Sequence, residues 1–374
     1  AINRPLAEVA KIIVHPRQRG FVRGRSLIDN MLEVEGCAQS YTIAEAENPA
    51  IFLFDVMAAF PILSHQWLCV VLAKMKIPKV IIRALKAMYA DCSATIVLGG
   101  RRLRSFSMLS GIRQGCPASG TLFALAIDPC LRFLIGKVGP ERGLVNAYAD
   151  DIAAVLRDIF ASIGLIDSIF QTIGRATSLH LHPGKVQIIP LWKFDAETIR
   201  AQIRLLAPRL AKAKVQDCGK LLGVFVGPGA ETAQWKSTIE EIKARSRYLA
   251  SLNMAWSGVA PLYRSHVASV TSHILQFVAP SKELLRVESS SLAVITKTPA
   301  NALPIQILSR LREFGLNTNF SSLAVSGAAA AYRALMTSGV YQDMMNEISR
   351  ARASRDTICR HTCGGGPRPA SWVT

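Results

Sequence analysis

No stretch of this sequence is apolar enough to read as a membrane span. The greasiest run, Thr121 to Ile135, is interrupted by Asp128, Pro129 and Arg132, which makes it a core helix instead. A signal peptide is not visible either, because Arg4, Glu8, Lys11, Arg17 and Arg19 put charge through the opening residues. Cysteine is sparse, 8 residues without a C-x-x-C pair. Unpaired spacing of that kind fits free, mostly buried thiols in a reducing compartment. The expected setting is therefore intracellular, nucleus and/or cytoplasm, with no membrane contact. Cys359, His361 and Cys363 lie close together near the C-terminus, but they lack a fourth ligand and knuckle spacing. A metal site and an unstructured tail both remain open there. No internal repeat is present.

Negative charge is also scarce. Asp and Glu number 26 against 44 Lys and Arg, a formal net charge of +18. Such an excess suits a polyanionic partner, nucleic acid above all, although a merely basic protein would look the same. Half of the 374 residues are hydrophobic and 19% are charged, a balance that excludes a disordered chain. The length accommodates two or three domains.

Apolar residues at Leu6, Val9, Ala10 and Ile13 predict an N-terminal helix, followed by the basic run Arg17, Arg19, Arg23, Arg25. Ile51 to Phe54 is a continuous apolar run of the kind buried strands have, and it ends at Asp55. Pro61 is expected to break the chain before a helix from about Ser64 to Lys76, with a second helix at 79–91. Two short strands, 95–98 and 103–106, flank Gly99-Gly100 and read as a hairpin. Ser119 is positioned to cap a helix carrying Leu122, Phe123, Ala126, Cys130, Leu131 and Leu134. Residues 145–149 and 152–156 predict a second hairpin whose turn is Asp150-Asp151, then a helix at 158–177 and a strand at 187–190. Beyond Gly227 the pattern becomes helical and basic, with Lys236, Lys243, Arg245 and Arg247.

Carboxylates are costly at the ends of apolar strands, and Asp55, Asp150 and Asp151 all stand there. If the strands lie side by side, the three converge on one sheet end. Mg²⁺ favours few carboxylates together with waters and phosphate oxygens. Two such ions about 3.5–4 Å apart can activate a 3′-hydroxyl and neutralise a leaving pyrophosphate. An Asp pair in a turn can equally be solvated punctuation. Between the acidic positions lies Gly111-Ile112-Arg113-Gln114-Gly115-Cys116-Pro117-Ala118-Ser119, in which glycines permit close backbone approach, Arg113 offers a cation and Gln114 an amide. The same run would serve as an ordinary helix-entry loop.

Phe54 to Phe60, then Gly111 to Ser119, then Tyr148-Ala149-Asp150-Asp151 resemble motifs A, B and C of reverse transcriptases in order and spacing. The Arg-Gln-Gly-Cys-Pro wording is similar to the LINE-type (non-LTR) retrotransposon branch. Gln18 to Ser26 resembles the fingers motif of that branch, Leu179 to Lys185 motif D, and Leu221-Leu222-Gly223-Val224 the primer-grip motif E. Over roughly residues 1–260 the resemblance implies an α+β, right-hand polymerase fold with an antiparallel palm sheet. The divisions are 1–226 for partial fingers and palm, 227–300 for a helical thumb-like region, and 301–374 for a helical extension and disordered tail. The implied activity is RNA-directed DNA synthesis: dNTPs are added to a DNA primer on an RNA template with Mg²⁺ or Mn²⁺.

Asp55, Asp150 and Asp151 match the metal-binding aspartates. Phe60 matches the bulky gate against the sugar 2′-position, which argues against an RNA-dependent RNA polymerase, and would otherwise be an ordinary core aromatic. Gln114 matches the residue beside the incoming nucleotide, with Arg113 and Gly115 beside it. Lys185 matches a candidate proton donor to pyrophosphate, or is a solvated loop lysine. Arg23 and Arg25 are expected near template or nucleotide. Departures are Ala58 where the family carries Lys, Pro61 where it carries Asp, and Ser178-Leu179-His180-Leu181-His182 where motif D commonly reads Gly-Leu-x-Leu/Val-Asn. The chain also opens where the family is already inside its fingers. A truncated or degenerate copy is expected, with impaired activity, and the alternative function is an inactive nucleic-acid-binding retroelement fragment. Oligomeric state is left open.

Overall fold

The computed structural model describes residues 3–299 and 302–361, with side chains placed through 353. It divides into two compact units, residues 1–219 with 342–374, and residues 220–341. The division thus falls at Gly219/Lys220 rather than at 226/227, and 220–341 is one unit where the sequence suggested two. Cys359, His361, Cys363 and the glycine-rich tail lie outside the described side chains.

The first unit opens with α1 (Asn3–Ile13) and α2 (Leu27–Ile43), the latter capped by Ser26, whose hydroxyl accepts from the Ile28 amide. Strand β1 (Ala50–Phe54) follows, buried at every position. Three helices come next: α3 (Ala59–Ile62), α4 (His65–Lys74) and α5 (Lys79–Tyr89). Pro61 sits inside the single turn of α3 rather than breaking the chain. Its missing amide costs nothing in a first turn, where that amide has no partner anyway. The real boundary is Leu63-Ser64, about where the sequence starts its helix, and Ser64 caps α4.

Strands β2 (Ser93–Leu98) and β3 (Arg101–Ser107) form the expected hairpin, and Gly99 and Gly100 both take positive φ, +56° and +77°. Helix α6 (Ser119–Arg142) is broken at Gly139. Ser119 does not cap it. It is the first helical residue, buried, and its hydroxyl donates to the Arg113 carbonyl. Strands β4 (Gly143–Tyr148) and β5 (Asp151–Leu156) lead into α7 (Ile159–Thr177), capped by Asp158. Next come β6 (Gln187–Pro190), α8 (Ala196–Leu206) and β7 (Lys214–Val215). Here too α6 is the core helix that its sequence suggested. Asp128 is buried within it, accepting from the His15 amide at 2.6 Å and pairing with Arg132 at 2.7 Å. Among the described residues no helix is long and apolar enough to cross a membrane.

The sheet runs β4-β5-β1-β6-β7, antiparallel except for the β6–β7 pair, which bears out the α+β class. Period-two alternation explains why β1 is apolar throughout. Phe52 and Phe54 enter the core shared with Leu131, Leu134, Ile166 and Phe170 from α6 and α7. Ile51 and Leu53 are buried on the other face, the one from which Asn146 of β4 donates to Glu33 of α2. With both faces covered, a polar residue can stand only at a strand end or in a paired network. Cys37, Cys92 and Cys130 are buried and Cys69, Cys116 and Cys218 half-buried, all free. Burial pushes the Cys37 and Cys130 thiols up to about 12.

The second unit is helical. After the hairpin of β8 (Gly219–Leu221) and β9 (Val224–Val226), which crosses the boundary, it runs through α9 (Ala230–Gln234), α10 (Lys236–Ser251), α11 (Trp256–Leu262), α12 (Lys282–Thr296), α13 (Ile305–Leu308) and α14 (Leu323–Thr337). Its core gathers Ile242, Tyr263, Leu284, Leu292 and Phe320. Glu288 is buried within that core, accepting from the Leu323 amide at 2.7 Å. Burial raises its carboxyl to about 7. The last helix, α15 (Tyr341–His361), belongs to the first unit from Gln342 on. There Glu347 accepts from Ser40 of α2 at 3.0 Å.

Candidate active site

The register of β1 against β5 ends at Phe54↔Ile152, so Asp55 follows at the strand end beside Asp151, which itself pairs with Tyr148 across the hairpin. The turn between β4 and β5 is Ala149-Asp150, not Asp150-Asp151; Asp151 is the first residue of β5. The two strands thus bring the three carboxylates to one end of the sheet. The electrostatics agree. Asp151 keeps solvent access, yet crowding by protein atoms and then the charges of Asp150 and Asp55 raise its carboxyl above the usual carboxylate range. Three like charges in one field call for a cation. The Lys185 ammonium stands 3.6 Å from Asp55 Oδ1.

Lys185 reaches that position because the chain after α7 pairs with the end of β1. The amide of Met57 donates to His180 O and that of His182 to Asp55 O, both at 2.9 Å, with Val56 bridging Leu181. Among the described residues no group of three His, Cys, Asp or Glu side chains is close enough together to hold a metal ion. An open set of carboxylates is nonetheless the donor chemistry that Mg²⁺ prefers when phosphate oxygens and water supply the remaining ligands. In donor chemistry, though not as a closed set, the residues present fit a divalent ion.

Phe60 is half-buried in an aromatic stack, its ring 4.3 Å and 14° from Phe123 and edge-on to Phe21 at 5.8 Å. The loop holding Arg113 to Gly115 is seated against it. Gly111 N donates to Leu63 O at 2.8 Å, Ile112 N to Phe60 O at 2.7 Å, and His65 Nε2 lies 2.7 Å from Gly111 O. Gly111 has φ +86°, and a Cβ there would fall 2.2 Å from the Pro61 carbonyl oxygen. Its close approach is thus to backbone, not to a ligand. Gln114 and Gly115 are open to solvent, and a Cβ on Gly115 would meet nothing.

Two arginines singled out by the sequence are otherwise engaged. Arg113 donates to Met88 O at 2.7 Å, contacts Cys92 Sγ and lies 5.7 Å over the Tyr89 ring, tying the loop to the end of α5. Arg25 donates to the carbonyls of His15 and Gln18, both at 2.6 Å, and to those of Val14 and Lys11. Its guanidinium clamps the chain leaving α1. Arg23 is exposed and pairs with Glu8 at 2.7 Å.

Sequence reasoning gave no separate role to Gln18, which is fully buried against Ala149. Nor did it give one to Phe21, whose ring completes the stack on Phe60. An amide between two arginines in a polar run was the one visible signal, and it is a weak one.

Residues 1–226 match the family model described as reverse transcriptase (RNA-dependent DNA polymerase). Among curated proteins, the chain is 31% identical over 166 residues to a transposon TX1 protein of Xenopus laevis. That alignment covers 42% of this chain and 13% of the relative. It is 28% identical over 150 residues to the Pol polyprotein of the type-1 retrotransposable element R2 of Popillia japonica, covering 38% and 21%. The chain thus spans a small part of these relatives' length. They bear out the resemblance to non-LTR retrotransposon proteins. Among solved structures, telomerase from Candida albicans matches 98% of this chain and 59% of its own, at 10% identity and TM-score 0.48.

Proposed function

Because the chain belongs to the reverse transcriptase (RNA-dependent DNA polymerase) family, we propose that it carries the site at which dNTPs are added to a DNA primer on an RNA template. One observation carries this reading: β1 and β5 pair so that Asp55 meets the Ala149-Asp150 turn and Asp151, with the Asp151 carboxyl raised in part by the other two.

Asp55, Asp150 and Asp151 would hold one or two Mg²⁺ or Mn²⁺ ions. Bound there, the metal supplies Lewis-acid activation of the primer 3′-hydroxyl and charge neutralisation at the departing pyrophosphate. The remaining work falls to the protein. Lys185, loosely paired with Asp55, is placed to donate a proton to, or hold the charge of, the leaving phosphates. Phe60, held by Phe123 beneath and Phe21 at its edge, offers a rigid ring edge against the sugar 2′-position. Gln114 and Gly115 are free to contact the nucleotide. Arg113 and Arg25 act in this reading by shaping the backbone around the site.

The helical unit 220–341 serves as the thumb, with α10 presenting Lys236 and Arg247. Its Lys243 and Arg245 are partly neutralised by Glu240 and Glu241. Duplex binding is to phosphates, hence salt-sensitive and weak in sequence preference. The test is incorporation of dTTP on a poly(rA)·oligo(dT) primer-template. Magnesium-dependent extension, abolished by a chelator, is the expected result. Template binding without extension under either metal would instead assign the alternative, an inactive nucleic-acid-binding protein.

A further inference from the structure

Ala149, the residue immediately before Asp150, has φ +58°, a left-handed conformation that is costly for an alanine. One side chain from far upstream meets both of its backbone polar groups. Gln18 is fully buried; its Nε2 donates to Ala149 O at 3.1 Å, and its Oε1 accepts from Ala149 N at 2.8 Å and from Gly20 N at 2.9 Å. Both polar groups of the turn residue are thus satisfied by a single planar amide.

The backbone on either side reinforces the grip. Arg19 N donates to Ala147 O and Ala147 N to Arg17 O, each at 2.9 Å, so the segment lies along the edge of β4 as a short parallel partner. Gly20 rests on the turn itself, where a Cβ would fall 2.1 Å from Ala149 N. Behind the segment, buried Arg19 forms a two-point pair with Glu33 at 2.9 and 3.0 Å and reaches Asn30 at 3.1 Å. Glu33 in turn accepts from Asn146 at 2.8 Å. Arg25 fixes the Gln18 carbonyl.

We propose that Gln18 is a positioning residue: it locks the Ala149 conformation and so aims the Asp150 and Asp151 carboxylates at Asp55. The inference rests on the carboxylate reading given above. An amide is required because it presents a donor and an acceptor in one rigid plane. Methionine would fill the same volume with neither.

Three measurements on Gln18→Met test this: hydrogen exchange of the Ala149 amide, affinity for Mn²⁺ alone by electron paramagnetic resonance titration, and steady-state kinetics on poly(rA)·oligo(dT). With two buried hydrogen bonds to Ala149 lost, exchange of that amide should quicken by about tenfold or more. Mn²⁺ affinity should fall on the order of tenfold, and kcat about 100-fold with primer-template Kd unchanged, the cost of carboxylates displaced by roughly 1 Å. A role in packing alone would lower the melting temperature and leave exchange at Ala149 and Mn²⁺ affinity at parent values, which overturns the proposal. Should Gln18→Met not fold, Gln18→Leu gives the same readings, since it also removes both bonds to Ala149. Asp150→Asn separates the two layers of argument. Mn²⁺ affinity lost in Asp150→Asn but kept in Gln18→Met rejects the positioning role only, whereas affinity kept in Asp150→Asn rejects the carboxylate site beneath it.

Discussion

Replacing Phe60 by valine separates packing from selectivity at a single ring. Phe60 is half-buried, stacked on Phe123 and edge-on to Phe21. Truncating a fully buried phenylalanine to alanine costs about 3–5 kcal/mol. Valine keeps part of the volume and the site is half-open, so about 2 kcal/mol is expected, including the two ring contacts. If the ring edge also closes off the 2′-position, losing it removes a clash that only ribonucleotides suffer. Pocket changes of this size shift discrimination on the order of 10–100-fold. The assay is the ratio of rUTP to dTTP incorporation efficiency for parent and variant, alongside a denaturant melt. Phe170→Leu is the control, because its ring packs on Phe54 and takes no part in the Phe60 stack. It should lower stability without moving the ratio. A Phe60→Val protein with the expected loss of stability and an unchanged ratio would refute the gate and leave Phe60 as a packing residue.

Two further outcomes test the fold. Glu288 has its carboxyl raised to about 7 from 4.5, so the folded state keeps a proton that the unfolded chain has released between those values. Its contribution is therefore favourable below pH 4.5 and is lost as pH rises through about 7. Unfolding free energy of the parent relative to Glu288→Gln should drop by about 3 kcal/mol between pH 4 and pH 8, and parallel pH curves would contradict the burial argument. Gly111→Ala should cost at least about 2 kcal/mol, from positive φ plus a backbone clash with Pro61. Gly115→Ala, at φ +84° in open space, should cost only about 1 kcal/mol, and equal losses at the two positions would remove the docking role of Gly111.

Much of this architecture was legible in local pattern. The apolar run Ile51–Phe54 is the central strand, Gly99-Gly100 make the hairpin turn, and a helix starts at about Ser64. Those features depend on residues within a few positions of one another. What escaped depends on distant partners. Gln18 meets Ala149 across 131 residues, and nothing near it in sequence announces an amide reading a strained turn. Arg25 and Arg113 read as free cations because their partners are backbone carbonyls, which every residue carries and no motif records. Ser119 has a cap's identity but turns its hydroxyl to Arg113 O, one position too late to serve the helix. The acidic pair was placed one residue off in its turn. Its neighbour Ala149, an unremarkable residue in sequence, takes the left-handed conformation that glycine or asparagine would have signalled.

The most direct test of the account is primer extension by Asp150→Asn beside the parent, with binding of the same primer-template measured on both. The exchange preserves shape and removes the charge at the turn facing Asp55. Incorporation should fall by at least about 10³-fold, with binding of the primer-template within about twofold of the parent. Extension by Asp150→Asn at the parent rate would contradict this expectation.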